Sequence, residues 1–195
     1  MDMTHFKNKF YGGTRSNRFV VNGAIQSGPS ETGIDQPFHI RATFIPPITN
    51  ITLTLNAFGR KLNVPGDREY SPWQITIYDD FKKDGGNGGY NSNLWSQFSK
   101  WHDDINSHEL NTSANNTGTN YLSYKQNWNV SHLDLNGNTI KKFKMIGCWP
   151  KTVSDIDFNM SRRNFLNTFS VIMLYDSIEI LPDGENSFAT DPVPE

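Results

Sequence analysis

Short stretches of period-two alternation are the feature of this 195-residue chain that most restricts its fold. Apolar residues occupy every second position within Phe38–Phe44, Ile51–Leu55 and Trp73–Ile77. Because side chains on a β-strand point alternately to opposite faces, this pattern predicts strands with one buried and one solvated face. A fourth run, Phe169–Tyr175, is apolar at nearly every position and predicts a strand covered on both faces.

The composition also favours a mainly β fold. The chain is only 35% hydrophobic but 13% aromatic, with 13 Phe, 7 Tyr and 5 Trp. Aromatic residues are enriched in strands, whereas helical bundles are built from Ala, Leu, Glu and Lys. The single cysteine, Cys148, excludes an internal disulfide framework and predicts a buried, inert thiol.

One amphipathic helix is predicted, from Ser92 to about Ser107. Its apolar residues recur at spacings of four, three and four, so they share one face. They are Leu94, Phe98, Trp101 and Ile105. Ser92 or Asn93 is placed to cap the first turn, and we expect the helix to plug one side or end of a sheet.

Turn signals and further alternation organise the second half of the chain. Asn136-Gly137 predicts a tight hairpin between two strands. Lys142–Trp149 predicts a strand that Pro150 ends, and Asp155–Met160 alternates in a way that predicts one more strand. Toward the N-terminus, the polar stretch Gln26–Gly33 predicts a loop.

Charge is distributed unevenly. The residues through Arg68 carry a balance of +4, and the remainder carries −6. From Asp176 to the end there are six acidic residues and no basic one. We interpret residues 181–195 as a solvated acidic extension, although such extensions also serve as docking arms.

No arrangement of catalytic or metal-binding residues emerges. His102 and His108 fall on opposite faces of the predicted helix, and Gly85–Gly89 lacks the Lys-Ser/Thr pair of a phosphate loop. We therefore predict no enzyme, no cofactor and no metal. No apolar run is long enough for a membrane span, and no secretion signal is expected at the start.

Two other classes stay open on the residues alone. Tryptophans beside polar loops would suit a carbohydrate-binding β-sandwich module, although core packing explains most of them better. A small hydrolase would need a cleft with paired carboxylates, for which the sequence offers no motif.

Two ordered blocks resemble tail tube proteins of contractile-tailed bacteriophages. The first is Gly59–Tyr70 followed by Trp73–Asp80, where an Arg-Lys pair, an Asn-Val-X-Gly-Asp-Arg turn and a Trp-initiated strand keep the family's order. In the second, Ile146–Pro150 is similar to the family's Gly-X-Trp-Pro strand end, and Asn167–Val171 to its final strand. The predicted helix lies between the blocks, as it does in the family.

The resemblance implies a single tail-tube domain over residues 1–195, with 1–36 a divergent N-terminal segment and 111–120 an expanded Asn/Thr-rich loop. It implies a β-sandwich or partial barrel with one packed α-helix. The sheets of neighbouring subunits would join into a ring-shaped barrel, and hexameric rings would stack into a tube.

The function implied is that of a structural virion protein of the inner tail tube. Sheath, baseplate and tape-measure proteins would be its partners, and genomic DNA would pass through the lumen without specific binding. Its location would be the virion tail, with host cytoplasm as the site of assembly. A baseplate tube initiator or a tail terminator would share the fold and stays open.

Specific residues become candidates under this resemblance. A basic lining would hold DNA phosphates, so polar uncharged residues are expected to line the lumen: Thr52, Thr54, Gln74 and Thr76. The candidate subunit or ring contacts are Arg60, Lys61, Val64, Gly66, Asp67, Arg68 and Trp149. We expect the Arg60–Arg68 loop to meet acidic groups such as those of the extension.

Overall fold

Ten strands and one helix account for most of the residues that the computed structural model describes, which are 14–27, 30–33, 39–79, 93–107 and 124–181. The strands are β1 (Phe19–Ser27), β2 (Ser30–Gly33), β3 (Ile40–Thr43), β4 (Ile48–Ala57), β5 (Arg60–Tyr70), β6 (Trp73–Tyr78), β7 (Gln126–Leu133), β8 (Thr139–Val153), β9 (Thr168–Leu174) and β10 (Ser177–Leu181). The helix is α1 (Leu94–Ile105). The predicted mainly β fold with one helix is confirmed. The predicted loop at 111–120 and residues 182–195 of the acidic extension lie outside the described residues.

Strand β8 belongs to both halves of the main sheet. Its first part pairs with β7 and β10, and its last part, Trp149–Val153, pairs with β9. The strand order is β2-β1-β7-β8-β9-β6-β3, and every pairing is antiparallel. The edge strands β2 and β3 have four residues each, and the pairing of β3 with β6 is interrupted by a bulge at Arg41. Strands β4 and β5 form a separate two-stranded ribbon.

The main sheet folds back on itself, as a sandwich or partial barrel requires. Trp73 on β6 and Trp128 on β7 are three strand spacings apart in sheet order, about 14 Å in a flat sheet. Their ring centroids nevertheless lie 6.0 Å apart, and both side chains are fully buried. The two halves therefore face each other across one aromatic core.

The corner between the halves is made at Gly147. Its φ of +70° lies in the left-handed region, which glycine adopts without strain. The Asp176 carboxylate occupies the space where a Cβ would stand, and the Gly147 N–H donates to Asn127 Oδ1 at 3.1 Å. Lys125 Nζ contacts both oxygens of Asp176, at 2.8 and 2.7 Å. Glycine is needed here because a side chain would displace the ion pair that seals the bend.

Helix α1 closes one side of the core. Phe98 and Trp101 are fully buried, and the Phe98 ring lies 6.0 Å from Trp128 and 6.4 Å from Phe169, centroid to centroid. Asn93 is the N-cap, since its Oδ1 accepts from the Ser96 N–H at 3.2 Å. The predicted helix is confirmed, with slightly narrower bounds.

The predicted Asn-Gly hairpin is confirmed between β7 and β8. The carboxylate of Asp134 accepts the N–H groups of Asn136 and Asn138, at 2.7 and 2.8 Å. The hydrogen bond from the Asn138 backbone N–H lowers the pKa of Asp134, and weaker hydrogen bonds from Asn136, Gly137 and the Asn138 side chain act in the same direction. Asp134 therefore stabilises the turn that contains Asn136-Gly137.

Three local predictions are wrong. The described residues of Gln26–Gly33 are strand residues, because Gln26 and Ser27 at the end of β1 pair with Glu31 and Ser30 of β2. Backbone bonding of this kind needs no apolar side chain. Pro150 does not end β8, which continues to Val153. The register with β9 shifts just beyond Pro150, which marks a bulge. A strand tolerates proline, which has no N–H, at such a bulge. Asp155–Met160 forms no strand.

Strand β9 lies in the middle of its half of the sheet, between β8 and β6. Phe169, Val171 and Met173 are buried, whereas the alternate residues Ser170, Ile172 and Leu174 are half-buried. The prediction of a strand covered on both faces is therefore correct for one face only.

We expect Gly147→Ala to destabilise the protein more than Gly137→Ala. Both glycines have positive φ, so both changes add about 1–2 kcal/mol of left-handed strain. Only at Gly147 does the new Cβ meet a neighbour, the Asp176 carboxylate, whereas Gly137 faces open space. Urea denaturation should show Gly147→Ala losing at least about 1 kcal/mol more, as overpacking does. Equal losses would contradict the proposed corner.

Candidate assembly surface

The β4–β5 ribbon presents two faces of different polarity. Antiparallel pairing puts directly opposed residues on the same face, and every second residue of a strand joins them. One face is aliphatic, and we call it the apolar ribbon face: Ile51, Leu53, Leu55, Leu62 and Val64. The polar ribbon face holds Asn50, Thr52, Thr54, Asn56, Lys61, Asn63 and Arg68. On that face the Thr54 hydroxyl donates to Asn63 Oδ1 at 3.2 Å.

No described part of the chain covers the apolar ribbon face. Its aliphatic side chains are between 48% and 58% exposed at Ile51, Leu53, Leu55 and Leu62. The strand predicted at Ile51–Leu55 forms, but the prediction that one of its faces is buried is wrong within this chain, since every residue of β4 is exposed. A two-stranded ribbon is marginal on its own in water, so this face needs a covering surface.

The ribbon is attached to the body at its base. The Tyr70 ring meets Tyr175 edge-on, with centroids 5.6 Å apart, and the Arg68 guanidinium lies 5.9 Å from the Tyr70 ring centroid. Tyr175 belongs to the buried core, so this contact ties the last residue of β5 to the rest of the molecule.

The predicted Arg60–Arg68 loop is wrong, because these residues form most of strand β5. The turn lies instead at Phe58 and Gly59, whose φ values of 50° and 75° suit a two-residue hairpin turn. Gly66 and Asp67 form a bulge opposite Ile51. A Cβ on Gly66 would stand 2.9 Å from the Ile51 carbonyl oxygen, so glycine allows the strands to approach there.

The candidate contact residues do not form one surface. Arg60 and Val64 lie on the side of the apolar ribbon face, whereas Lys61 and Arg68 lie on the polar ribbon face. Gly66 and Asp67 form the bulge. Trp149 is on β8, half-buried, with its ring 6.3 Å from that of Tyr124.

The candidate lumen residues fall into two groups. Thr52 and Thr54 lie on the ribbon, whereas Gln74 and Thr76 lie on β6, on the face opposite the core. Neighbouring strands extend the β6 group into what we call the uncharged sheet face: Ala42, Gln74, Thr76, Tyr78, Thr152, Thr168, Ser170 and Ile172. Two exposed bases, Arg41 and Lys151, flank this face at the bulges of β3 and β8. The hydroxyls of Thr76 and Ser170 are hydrogen-bonded across it at 3.3 Å.

Of the aliphatic positions of β4 and β5, the sequence analysis named only Val64 as a candidate contact, and it missed Ile51, Leu53, Leu55 and Leu62. The available signal was the alternation of Ile51, Leu53 and Leu55 beside two bases, which indicated a strand but not which surface covers it. The exposed Phe158 and Met160 were missed as well, because the alternation in Asp155–Met160 predicted a strand.

Cys148 has the environment of a structural thiol. It is fully buried, and burial, aided by the negative charge of Asp176, raises the pKa of the thiol far above its ordinary value. Among the residues that the structure describes, no three His, Cys, Asp or Glu side chains are grouped so as to hold a metal ion. Over the same ranges, helix α1 is too short and too polar to span a bilayer.

Residues 17–180 match the model of a family described as phage tail tube protein. The chain belongs to the phage tail tube protein family. It is 24% identical over 162 residues to the tail tube protein gp19 of Enterobacteria phage T4, a match that covers 83% of this chain and 91% of that protein. With the tail tube protein of Serratia phage KSP90 it shares 30% identity over 118 residues, 60% of this chain and 59% of the relative.

Solved structures with the same fold come from contractile assemblies. A chain of the anti-feeding prophage baseplate has a TM-score of 0.61 at 12% identity, covering 88% of this chain and 97% of its own. A chain of the sheath–tube complex of the extracellular contractile injection system PVC has a TM-score of 0.52 at 14% identity, covering 93% and 98%. These likenesses confirm the fold, and because they include baseplate and tube chains, the fold alone does not distinguish the two positions.

Membership of the tail tube family confirms the resemblance drawn from the two sequence blocks and agrees with the prediction of a structural, non-enzymatic protein. The carbohydrate-binding alternative loses its basis. Three of the five tryptophans, Trp73, Trp101 and Trp128, are fully buried in the core and cannot stack on a sugar.

We expect Cys148 to resist a thiol reagent in the native protein at pH 8. Its raised pKa leaves less thiolate at this pH than a free cysteine has, and burial blocks access. Absorbance with a disulfide reagent should show one thiol reacting only after unfolding. The variant Thr54→Cys, on the exposed ribbon, should give one fast-reacting thiol in the native state, and rapid reaction of the wild type would contradict the assignment.

Proposed function

We propose that this chain is the subunit of the inner tail tube of a contractile phage, forming hexameric rings that stack into a tube in the virion. The observation that carries the proposal is the apolar ribbon face, which is exposed on a protein whose family builds tail tubes. Sheath, baseplate and tape-measure proteins are the partners expected for such a tube, and host cytoplasm is the expected place of assembly.

The size of the apolar ribbon face fits an assembly that depends on many simultaneous contacts. Four of its five aliphatic residues, Ile51, Leu53, Leu55 and Leu62, are about half exposed. Covering the exposed halves would gain ~3–6 kcal/mol in total, which is near the lower end of the ~4–15 kcal/mol cost of association. One ribbon contact is therefore weak between two free subunits, whereas a ring that presents several at once binds strongly.

The uncharged sheet face supports the proposed lumen. The middle of this face carries amide, hydroxyl and apolar groups and so offers no cations to DNA phosphates. The two exposed bases beside it, Arg41 and Lys151, are confined to the bulges at its margins. Gln74 is exposed at this face. The hydroxyls of Thr76 and Ser170 are hydrogen-bonded to each other. DNA passage without specific binding follows from such a lining.

The position within the tail follows from the named relatives. Those with sequence similarity are tail tube proteins, and the match to the T4 protein covers 91% of its length. We therefore place the chain in the tube itself, in preference to a baseplate initiator or a terminator at the tube's end.

The assembly proposal predicts opposite outcomes for the same substitution on the two ribbon faces. Leu53→Lys/Leu55→Lys puts charges on the apolar ribbon face and should abolish tubes, because buried unpaired ammonium groups are costly. Thr52→Lys/Thr54→Lys changes the polar ribbon face and should leave tubes intact. Negative-stain microscopy and sedimentation measure both, and tubes from the leucine variant would sink the proposal.

The lumen proposal predicts a gain of DNA binding from one exposed position. Tubes of Gln74→Lys should retain short double-stranded DNA at 50 mM salt and release it at 200 mM, because each ring adds lysines that displace counterions. Wild-type tubes and tubes of the neutral variant Gln74→Asn should retain none. Filter retention of labelled DNA measures this, and equal retention by all three would place Gln74 outside the lumen.

A further inference from the structure

A cleft of about 650 Å³ lies between helix α1 and the last residues of β8, and we call it the α1–β8 cleft. Its helix wall includes Trp95, Ser99 and Asp103, which follow one another at spacings of four and so share one side of α1. The facing wall includes Lys151 and Val153. The Trp95 Nε1–H donates to the Ser154 carbonyl oxygen at 3.0 Å. This hydrogen bond joins the two walls at one end of the cleft.

The α1–β8 cleft combines apolar side chains with two cations. Trp95 and Val153 are half-buried in its walls, and the stems of its lysines add methylene groups. Lys100 and Lys151 are exposed lining residues, and neither forms an ion pair with any residue that the structure describes. Asp103 is the one acidic side chain among the described lining residues. The cleft therefore suits an acidic peptide that carries an apolar side chain.

Residues 182–195 of the same chain have this chemistry. Phe188 is their one aromatic residue, with Glu185 three positions before it and Asp191 three positions after it. In an extended peptide three residues span about 10 Å, so a Phe188 ring in the cleft places a carboxylate about 10 Å to either side. The segment also contains Asp183 and Glu195 but no base. The match to the tail tube family ends at residue 180, so the segment lies beyond the shared domain.

The segment is long enough to reach the cleft of its own copy. It follows Leu181, which pairs with Lys142 in the first part of β8. Lys142 and Lys151 are nine residues apart, about 30 Å of strand, and the bend at Gly147 shortens the straight distance. The fourteen residues 182–195 span up to about 46–50 Å. A tethered segment meets such a site at an effective concentration of about millimolar, so even a weak contact is occupied.

The bases of the ribbon offer the acidic segment a poorer site. Arg60 and Lys61 lie on opposite faces of β5, and Arg68 already packs over the Tyr70 ring. Their charges are therefore divided between two faces, whereas Lys100 and Lys151 line one cleft beside apolar side chains.

We propose that residues 182–195 dock in the α1–β8 cleft of their own copy. Phe188 packs against Trp95 and Val153, and the carboxylates on either side of it face Lys100 and Lys151. The contact places negative charge beside Lys151, one of the two bases at the margins of the uncharged sheet face. This inference concerns the single chain and goes beyond the proposed tube function, on which it does not depend.

Cross-linking within the full chain tests the contact. The variant Ser99→Cys/Ala189→Cys puts one thiol in the cleft and one beside Phe188, and buried Cys148 leaves these two as the reactive thiols. A short bismaleimide should join them at least tenfold faster than the thiols of Thr54→Cys/Ala189→Cys, because Thr54 lies on the polar ribbon face. When ordinary and isotope-labelled protein are mixed before the reaction, a contact within one copy joins peptides of equal label, which mass spectrometry detects.

Charge reversal tests what holds the segment in place. Added to Ser99→Cys/Ala189→Cys, the change Lys100→Glu/Lys151→Glu should slow cross-linking at least fivefold, because it sets carboxylates against carboxylates. The matched change Arg60→Glu/Lys61→Glu alters the net charge equally on the ribbon and should leave the rate unchanged. Circular dichroism checks that both variants keep the parent fold.

Three results would overturn the inference. Equal rates from Ser99→Cys and Thr54→Cys would show that the segment is not docked in the cleft. A majority of cross-linked peptides with mixed label would place the segment on another copy. A rate that Lys100→Glu/Lys151→Glu does not change, or that Arg60→Glu/Lys61→Glu slows as much, would remove the two lysines as its partners. Tubes in the microscope would leave the proposed function standing in each of these cases.

Discussion

The corner in β8 is the constraint on which the rest of the molecule depends. A single strand serves both halves of the sheet, and it changes direction at Gly147, where the Asp176 carboxylate fills the place of a side chain. That bend brings Trp73 against Trp128 and creates the pocket that Phe98 of α1 fills. The ribbon and the segment between β8 and β9 lie at opposite ends of the β6–β9 pair, since Trp73 is opposite Met173 and Tyr78 is opposite Thr168.

Elements that bury their apolar residues within the chain could be predicted from the sequence. The alternation in Trp73–Ile77 and the stripe that includes Phe98 and Trp101 both gave the correct element and the correct buried face. The Asn-Gly hairpin was predictable because its turn chemistry is local. The residues that carry the family resemblance lie in three strands of the main sheet, β6, β8 and β9, and in β5 of the exposed ribbon.

The rest could not be predicted, because alternation reports that a face is apolar and not which chain covers it. Leu53 and Leu55 read as an ordinary half-buried strand, yet nothing in the described part of the chain lies over them. Phe158 and Met160 alternate just as well, but their backbone turns at Asn159 and has no strand partner. On the ribbon the pattern suits a surface that another copy completes, yet Val64 was the only aliphatic residue among the candidate contacts there.

The short edges of the main sheet have a consequence for the supply of subunits. An edge of four residues, bulged at Arg41 in the case of β3, offers little continuous backbone for an approaching strand. In the proposed tube, free subunits would therefore have little tendency to pair edge to edge before assembly. Growth would start from a nucleus that presents several docking surfaces at once, so the nucleus would set when and where polymerisation begins.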